Sequence, residues 1–514
     1  MIKTDVIKPL GELLEERAMQ YGSKVAYWDS GKEVSYLELN RQSKNISQKL
    51  RNRGLISGDK VAIYLPNSVN WVLACFGCVR AGLVSVPISY DAAPGEVSYR
   101  LTDSGSKFLI TTKERLAIIE SLRGEINADL KIIIVDDDPV SGCENFSTYC
   151  ADSGELAEQE MYPSIDDVAF IVYTSGTTGK AKGVLLTVRS MLWVVAACWI
   201  PGAELSDKDV VLSPLPLFHS YALNFSVLSI VAAGASEFIV EKYSSNQVLS
   251  LLQTGKFTVL PGVPTMFHYI LESAKADPAI QLNGMRLCIS AGAILPADLN
   301  KGFEEFFGIK LLDGYGITET STMVTMNSPV WGRTLGSCGL PVVGVAVRIV
   351  DPTTGADLDA GLEGELIVRG PNVMVGYHNK PKETATALKD GWYHTGDLAK
   401  ADLNGYLTIT GRLKELIIRG GQNIAPGEIE EAVLRHPAIL DCAAVGMEHK
   451  HLGEIPVVFV VLRDGQSVEA EELIQFTRTQ ISSYKVPAAI HVVAEIPRTG
   501  SGKVMRFKLK EIIS

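Results

Sequence analysis

The sequence predicts an α/β protein: a large N-terminal domain of mixed sheets flanked by helices, ending in a small β-barrel-like module, then a small α+β domain. Three observations predict it. Short apolar runs alternate with helical patterns up to about residue 330. From about 335 to 410 the chain turns to short β-type segments rich in Gly and Pro. After Gly411 a fresh α+β pattern begins.

The elements follow in order. LGELLEERAMQYG reads as an amphipathic helix stopped by Gly22. KVAIYLP (60–66) is a buried strand with a Pro stop, SVNWVLACFGCVRAG a helix, and VSVPIS, KFLITT and KIIIVDDD further strands. This is the rhythm of a sheet with covering helices. It repeats from about 165: VAFIVYTS is a strand, SMLWVVAACW a helix, DVVLSPLP and FTVLPGVP strands, RLCISAGA and IKLLDGYG short strands ending in glycine. Strands that end in small residues place loops at the carboxyl edge of a sheet, where ligands bind. VAVRIVD, GELIVRG and GYLTITG make the β-rich module. PGEIEEAVLRHP is a helix with Pro426 inside its start, DCAAVGM and VVFVVLR are strands, and EAEELIQFTRTQI is a helix. The expected domains are 1–411 and 412–514.

Composition bounds the function. With 514 residues, 46% hydrophobic and 21% charged, the chain can bury a sizeable core. The net charge of −11 argues against nucleic acid as a partner. A polyanionic ligand would have to be held by local lysines, arginines and backbone N–H groups. No integral membrane segment or signal peptide is expected, because no apolar stretch has the needed length. The eight cysteines are scattered. Cys75 and Cys78 share C-x-x-C spacing but have no second pair at zinc distance, so they read as core thiols on an apolar helix. A cytoplasmic location follows as the default.

One segment carries chemistry by itself. Thr174, Ser175, Gly176, Thr177, Thr178, Gly179 and Lys180 follow a hydrophobic strand and lead to Lys182 and Gly183. Glycines let backbone N–H groups turn toward one anion, hydroxyls add donors, and lysine adds counter-charge. The loop is not a Walker A motif, since Thr174 stands where that pattern needs Gly and Ala181 follows Lys180. A Gly/Ser/Thr run alone would favour a plain surface turn. The order after a strand favours a phosphate cradle.

YTSGTTGKAKG, SPLPLFHSYA, SAGA, DGYGITET, GWYHTGDL, GRLKELIIRGGQNIAPGEIE and PRTGSGKVMR occur in this order between residues 173 and 506. Jointly they resemble the motifs of the adenylate-forming superfamily, which includes acyl-CoA synthetases, luciferases and peptide-synthetase adenylation domains. The resemblance implies an ATP-dependent acid–thiol ligase that makes an acyl-adenylate, with Mg²⁺ and coenzyme A. It implies that Thr318 contacts the α-phosphate and that Glu319, with Thr177, holds Mg²⁺, an ion that takes hard oxygen ligands. Tyr315 would lie beside the adenine. Gly292 and Ala293 of SAGA, with Asp313, Gly314 and Gly316, would line the nucleotide and acyl space. Asp397 would accept the ribose hydroxyls, with Arg412 and Ile409 nearby. Lys503 would stabilise charge at the attacked phosphorus.

The same resemblance makes the C-terminal domain mobile, hinged at Lys414, with Gly420 and Gly421 edging a pantetheine tunnel and Arg419 and Lys485 as candidate CoA phosphate contacts. His219 stands after Phe218, where amino-acid-activating relatives place Asp. An α-amino acid substrate is therefore not expected, and His219 becomes a candidate gate for the carboxylate. The alternative for His219 is a structural cap. Tyr221, Phe225, Met266, Gly292, Gly314, Met323 and Val324 are the expected acyl lining, apolar enough for a fatty or aromatic acid. Three alternatives remain open at this level: loading of a carrier-protein phosphopantetheine, a non-catalytic binding homologue, and luciferase-like oxygen chemistry, for which no residue argues.

Overall fold

The computed structural model describes residues 1–151, 162–174, 181–277, 279–420, 422–498 and 504–513. The chain forms two compact units. The first comprises Met1–Leu335, Gly339–Ala346 and Arg369–Tyr393, and the second Gly336–Cys338, Val347–Val368 and His394–Ser514.

The first unit is built on two large sheets. One has nine strands in the order Leu340–Pro341, Thr325–Met326, Lys310–Tyr315, Leu287–Ser290, Val259–Gly262, Val210–Ser213, Ser236–Ile239, Val25–Trp28 and Glu33–Ser35. The six from Lys310–Tyr315 to Val25–Trp28 are parallel, and the outer pairs are antiparallel. Central parallel strands are covered on both faces, which is why they read as continuous apolar runs. One face packs Leu212, Leu260, Cys288 and Leu311 against Phe267 and Ile270 of the Pro264–Ala276 helix and Phe303 of the Ala297–Phe307 helix. Against the other face, the Tyr27 phenol donates to the Val227 carbonyl. Val227 belongs to Leu223–Ser229, a π-helical stretch, and a second such stretch spans Val195–Trp199.

The other sheet has eight strands, ordered Gly376–Tyr377, Lys182–Thr187, Val168–Thr174, Val84–Pro87, Lys60–Tyr64, Phe108–Thr111, Lys131–Ile134 and Glu144–Asn145. Its core joins Ala62, Tyr64, Val86 and Leu109 to Val97 and Leu101 of the Pro94–Ser104 helix. Val168–Thr174 and Lys182–Thr187 pair antiparallel, Thr174 opposite Lys182. The hydroxyl- and glycine-rich segment therefore joins two hairpin strands, not a strand and a helix as in a Walker loop.

In the second unit, strands Ala346–Val350, Gly364–Arg369 and Trp392–Ala401 lie in that order, with Leu407–Arg412 paired to the last. A second sheet runs Gln422–Ile424, Ile417–Arg419, Gly453–Leu462, Ile439–His449, with Ala489–Val492 parallel to Gly453–Leu462. Ile429 and Val433 of helix Pro426–Leu434 and Leu473 of helix Ala470–Gln480 share a core with that sheet. Leu509 of helix Arg506–Ile512 packs with Ala443, Val445, Val457 and Phe459.

Among the described residues no helix is long and apolar enough to cross a membrane. All eight cysteines are free. Cys75 and Cys78 are buried on the Val69–Arg80 helix, and burial pushes the Cys75 thiol up to about 12.

Candidate active site

The parallel strands of the nine-stranded sheet end in phase, Gly262 opposite Ser290 and Ser290 opposite Asp313. The residues that follow them therefore emerge along one edge. These are His219 beyond Val210–Ser213, Met266 beyond Val259–Gly262, Ala291–Ala293 beyond Leu287–Ser290, and Gly316–Glu319 beyond Lys310–Tyr315. Two of these loops are tied directly. The hydroxyls of Ser220 and Thr318 lie 3.0 Å apart, and Thr322 Oγ1 donates to the Ser220 carbonyl at 2.9 Å.

The Thr318 loop is held in a strained shape. Ser321 and Thr322 have φ of 52° and 104°, and a β-branched residue in that region costs free energy unless its surroundings enforce it. The Asn372 amide does so, donating to the carbonyls of Thr320 at 3.2 Å and Met323 at 2.8 Å. Gly316 makes the turn possible: a Cβ there would stand 1.2 Å from the Thr322 carbonyl oxygen. Glu319 accepts a hydrogen bond on Oε1 from the Tyr377 phenol at 2.9 Å, and the Lys182 ammonium lies 4.8 Å from the Tyr377 ring centroid. Burial, reinforced by the Glu319 charge, raises the Tyr377 phenol, which keeps it a donor. Asp313 is buried, and desolvation lifts its carboxyl well above the ordinary range, against the Gly314 N–H. Tyr315 is half-buried, while Gly292 and Ala293 are exposed. Gly292 has φ +86°, so its conformation demands glycine.

Of the expected acyl lining, Tyr221, Phe225, Met323 and Val324 are buried and Met266 half-buried. Gly314 makes room for Met323, whose methyl would lie 2.3 Å from a Cβ. Tyr221 and Phe225 pack with Trp199, at ring separations of 6.1 and 5.0 Å. The Tyr221 phenol donates to the Ile289 carbonyl at 3.1 Å. The Trp199 indole N–H donates to Asn224 Oδ1 at 2.7 Å. His219 caps the Ser220–Ala222 turn, its Nδ1 accepting from the Tyr221 N–H at 3.4 Å.

In the second unit, Asp397 and Arg412 are cross-strand partners with Nε to Oδ1 at 2.7 Å, and Asp397 is 2% exposed. Ile409 lies on the same strand as Arg412, opposite Ala399. Lys414 is exposed in the turn Leu413–Glu415. Gly420, at φ +57°, opens the hairpin turn between Ile417–Arg419 and Gln422–Ile424. Arg419 donates to the Tyr484 carbonyl at 2.7 Å, and Lys485 is ion-paired with Glu428. His394 Nδ1 lies 2.9 Å from Glu365 Oε2.

Thr174 ends its strand. Ser175, Gly176, Thr177, Thr178, Gly179, Lys180, Gly421 and Lys503 lie outside the described residues. Sequence reasoning missed Tyr377, Asn372 and Trp199. They are ordinary in type and reach the site only through long-range folding, so no local pattern marks them.

The AMP-binding enzyme family matches residues 14–378, and the AMP-binding enzyme C-terminal domain matches 428–503. A feruloyl-CoA synthase from an Amycolatopsis species is 31% identical, with 98% of each chain covered. A long-chain-fatty-acid–CoA ligase of Bacillus subtilis is 32% identical over 98% of this chain and 94% of its own. The crystal structure of the anthranilate CoA ligase AuaEII in complex with anthranoyl-AMP superposes with a TM-score of 0.91 at 26% identity, covering 98% of this chain and 97% of that one. Likeness that runs the length of the chain in sequence and in fold leads to one conclusion: the chain belongs to the AMP-binding enzyme family, on its acyl-CoA ligase branch.

Proposed function

We propose that the chain joins a fatty or aromatic carboxylic acid to coenzyme A, using ATP, through an acyl-adenylate. In the first step a carboxylate oxygen attacks the α-phosphorus of ATP and the bond to the pyrophosphate oxygen breaks. In the second the CoA thiolate attacks the acyl carbonyl carbon, and the bond to the AMP oxygen breaks. The observation that carries this reading is the Ser220–Thr318 hydroxyl contact. It ties a polar loop bearing Glu319 to the segment that carries His219, Tyr221 and Phe225. Charge-bearing and apolar surfaces thus meet along one sheet edge, as a substrate with a carboxylate head and an apolar tail requires.

Within this reading residues 174–180 cradle the triphosphate, Thr318 positions the α-phosphate, and Tyr315, with Asp313, Gly314 and Gly316, flanks the adenine. Asp397, Arg412 and Ile409 receive the ribose. Tyr221, Phe225, Met266, Gly292, Met323 and Val324 surround the acyl group, and His219 guards its carboxylate end. Lys503 supplies the ammonium for adenylation from a C-terminal domain beginning at Arg412. Lys414 is the hinge, and Gly420 and Gly421 admit pantetheine. Mg²⁺ fits the donor set, since Glu319 offers a carboxylate oriented by Tyr377. Glu319 and the Thr177 hydroxyl would hold the ion, and it would neutralise phosphate charge. A cytoplasmic setting completes the reading.

A panel of alkyl and aryl acids, assayed for pyrophosphate release and thioester formation with free CoA or a holo carrier protein, tests it. Acid-dependent pyrophosphate release with acyl-CoA as product is expected. Thioester on the carrier alone would transfer the second step to carrier loading, and no acid-dependent release would end the proposal.

A further inference from the structure

Arg506 is the first residue of the Arg506–Ile512 helix, which Leu509 anchors in a buried apolar cluster. Its guanidinium meets three separate segments. Nη2 donates to Glu430 Oε1 on the Pro426–Leu434 helix at 2.7 Å, Nε donates to the Ala444 carbonyl on the Ile439–His449 strand at 3.1 Å, and Nη1 lies 3.6 Å from Glu415 Oε2. Glu430 also accepts the Ala444 N–H at 2.8 Å. These three side chains are only 19–28% exposed, so solvent screens them less than a surface pair. Nearby, Arg498 donates to both oxygens of Asp441 at 2.9 Å, and Arg498 and Val504 form an antiparallel bridge.

Glu415 closes the short turn Leu413–Glu415 and directly follows Lys414. We infer that Arg506 is a positioning residue that fastens the first residue beyond the proposed hinge to the body of the C-terminal domain that begins at Arg412. Rotation at Lys414 is then transmitted to the residues of that domain beyond it instead of being absorbed within the turn. A hinge works only when the backbone change is confined to a few residues, and Glu415 marks where that confinement begins. Only a planar, forked cation reaches three partners at once, so lysine cannot substitute for Arg506. The inference rests on the two-step reading above.

Glu415→Gln tests it, because the charge is lost while Arg506 keeps Glu430. Three rates are measured on the full-length enzyme: acid-dependent ATP–pyrophosphate exchange, thioester formation from preformed acyl-AMP, and coupled turnover. The half-reactions should remain within about threefold of wild type while coupled turnover falls about tenfold, the pattern expected if the change of pose is impaired. Arg506→Lys should show the same split. A general loss of folded enzyme would lower all three rates together, and that result, or unchanged coupled turnover, overturns the inference. If wild type performs neither half-reaction, the two-step reading falls and takes the inference with it; if wild type performs both and Glu415→Gln is unaltered, only the inference falls.

Discussion

At the scale of single residues, the chain uses buried polar groups in two different ways. Tyr377 and Asn372 hold the Thr318–Glu319 loop, the first through the Glu319 carboxylate and the second through the Thr320 and Met323 carbonyls. Glu237 has no such use. It is fully buried on the Ser236–Ile239 strand, and neither carboxyl oxygen finds a hydrogen-bond partner. Desolvation holds its carboxyl well above the ordinary glutamate value, with the nearby Ser226 hydroxyl opposing. Between the unfolded and folded values the native state binds the extra proton, so stability falls as pH rises through that window. Glu237→Gln replaces the ionisable carboxyl with a neutral amide of nearly the same shape. Its melting temperature should exceed that of wild type by a margin that grows from pH 5 to pH 8, by about 2 °C. A margin independent of pH would mean that the carboxyl does not titrate as its burial dictates.

At the scale of elements, what could be read from the sequence was what local pattern dictates. LLDGYG reads as a strand ending in glycine because its apolar residues and its turn residues are contiguous, and Lys310–Tyr315 is that strand. SMLWVVAACW reads as a helix, but its change to a π-helical stretch over Val195–Trp199 was not legible. An inserted residue in a helical turn leaves the apolar pattern unchanged over so short a span. The antiparallel pairing of Val168–Thr174 with Lys182–Thr187 was equally hidden, because the second strand resembles any short apolar run. Contacts such as Tyr377 to Glu319 join residues far apart in the chain, and no spacing rule reaches them. Gly316 shows how a motif residue acquires its reason from the fold: the Thr322 carbonyl occupies the space of its missing side chain. Gly316→Ala should therefore displace the Thr318 loop and cut acid-dependent adenylation about a hundredfold, the scale of a misplacement near 1 Å. Normal adenylation with a folded Gly316→Ala protein would show that the loop's shape is not required.

At the scale of the whole molecule, an acidic chain of net charge −11 must bind two polyanionic substrates. Its overall field opposes them, so affinity has to come from local donors aimed at phosphate. In the proposed reading that demand falls on the lysine, arginine and hydroxyl groups of a few short motifs. It also makes the single ammonium proposed at Lys503 a sensitive probe. The most direct measurement is acid-dependent exchange of labelled pyrophosphate into ATP, in wild type and in Lys503→Ala. Exchange should occur in wild type only with a carboxylic acid present, and should fall at least about a hundredfold in the variant, which should still convert preformed acyl-AMP to thioester. Exchange at the wild-type rate in Lys503→Ala, or none in wild type with any acid, would contradict acyl-adenylate chemistry as described.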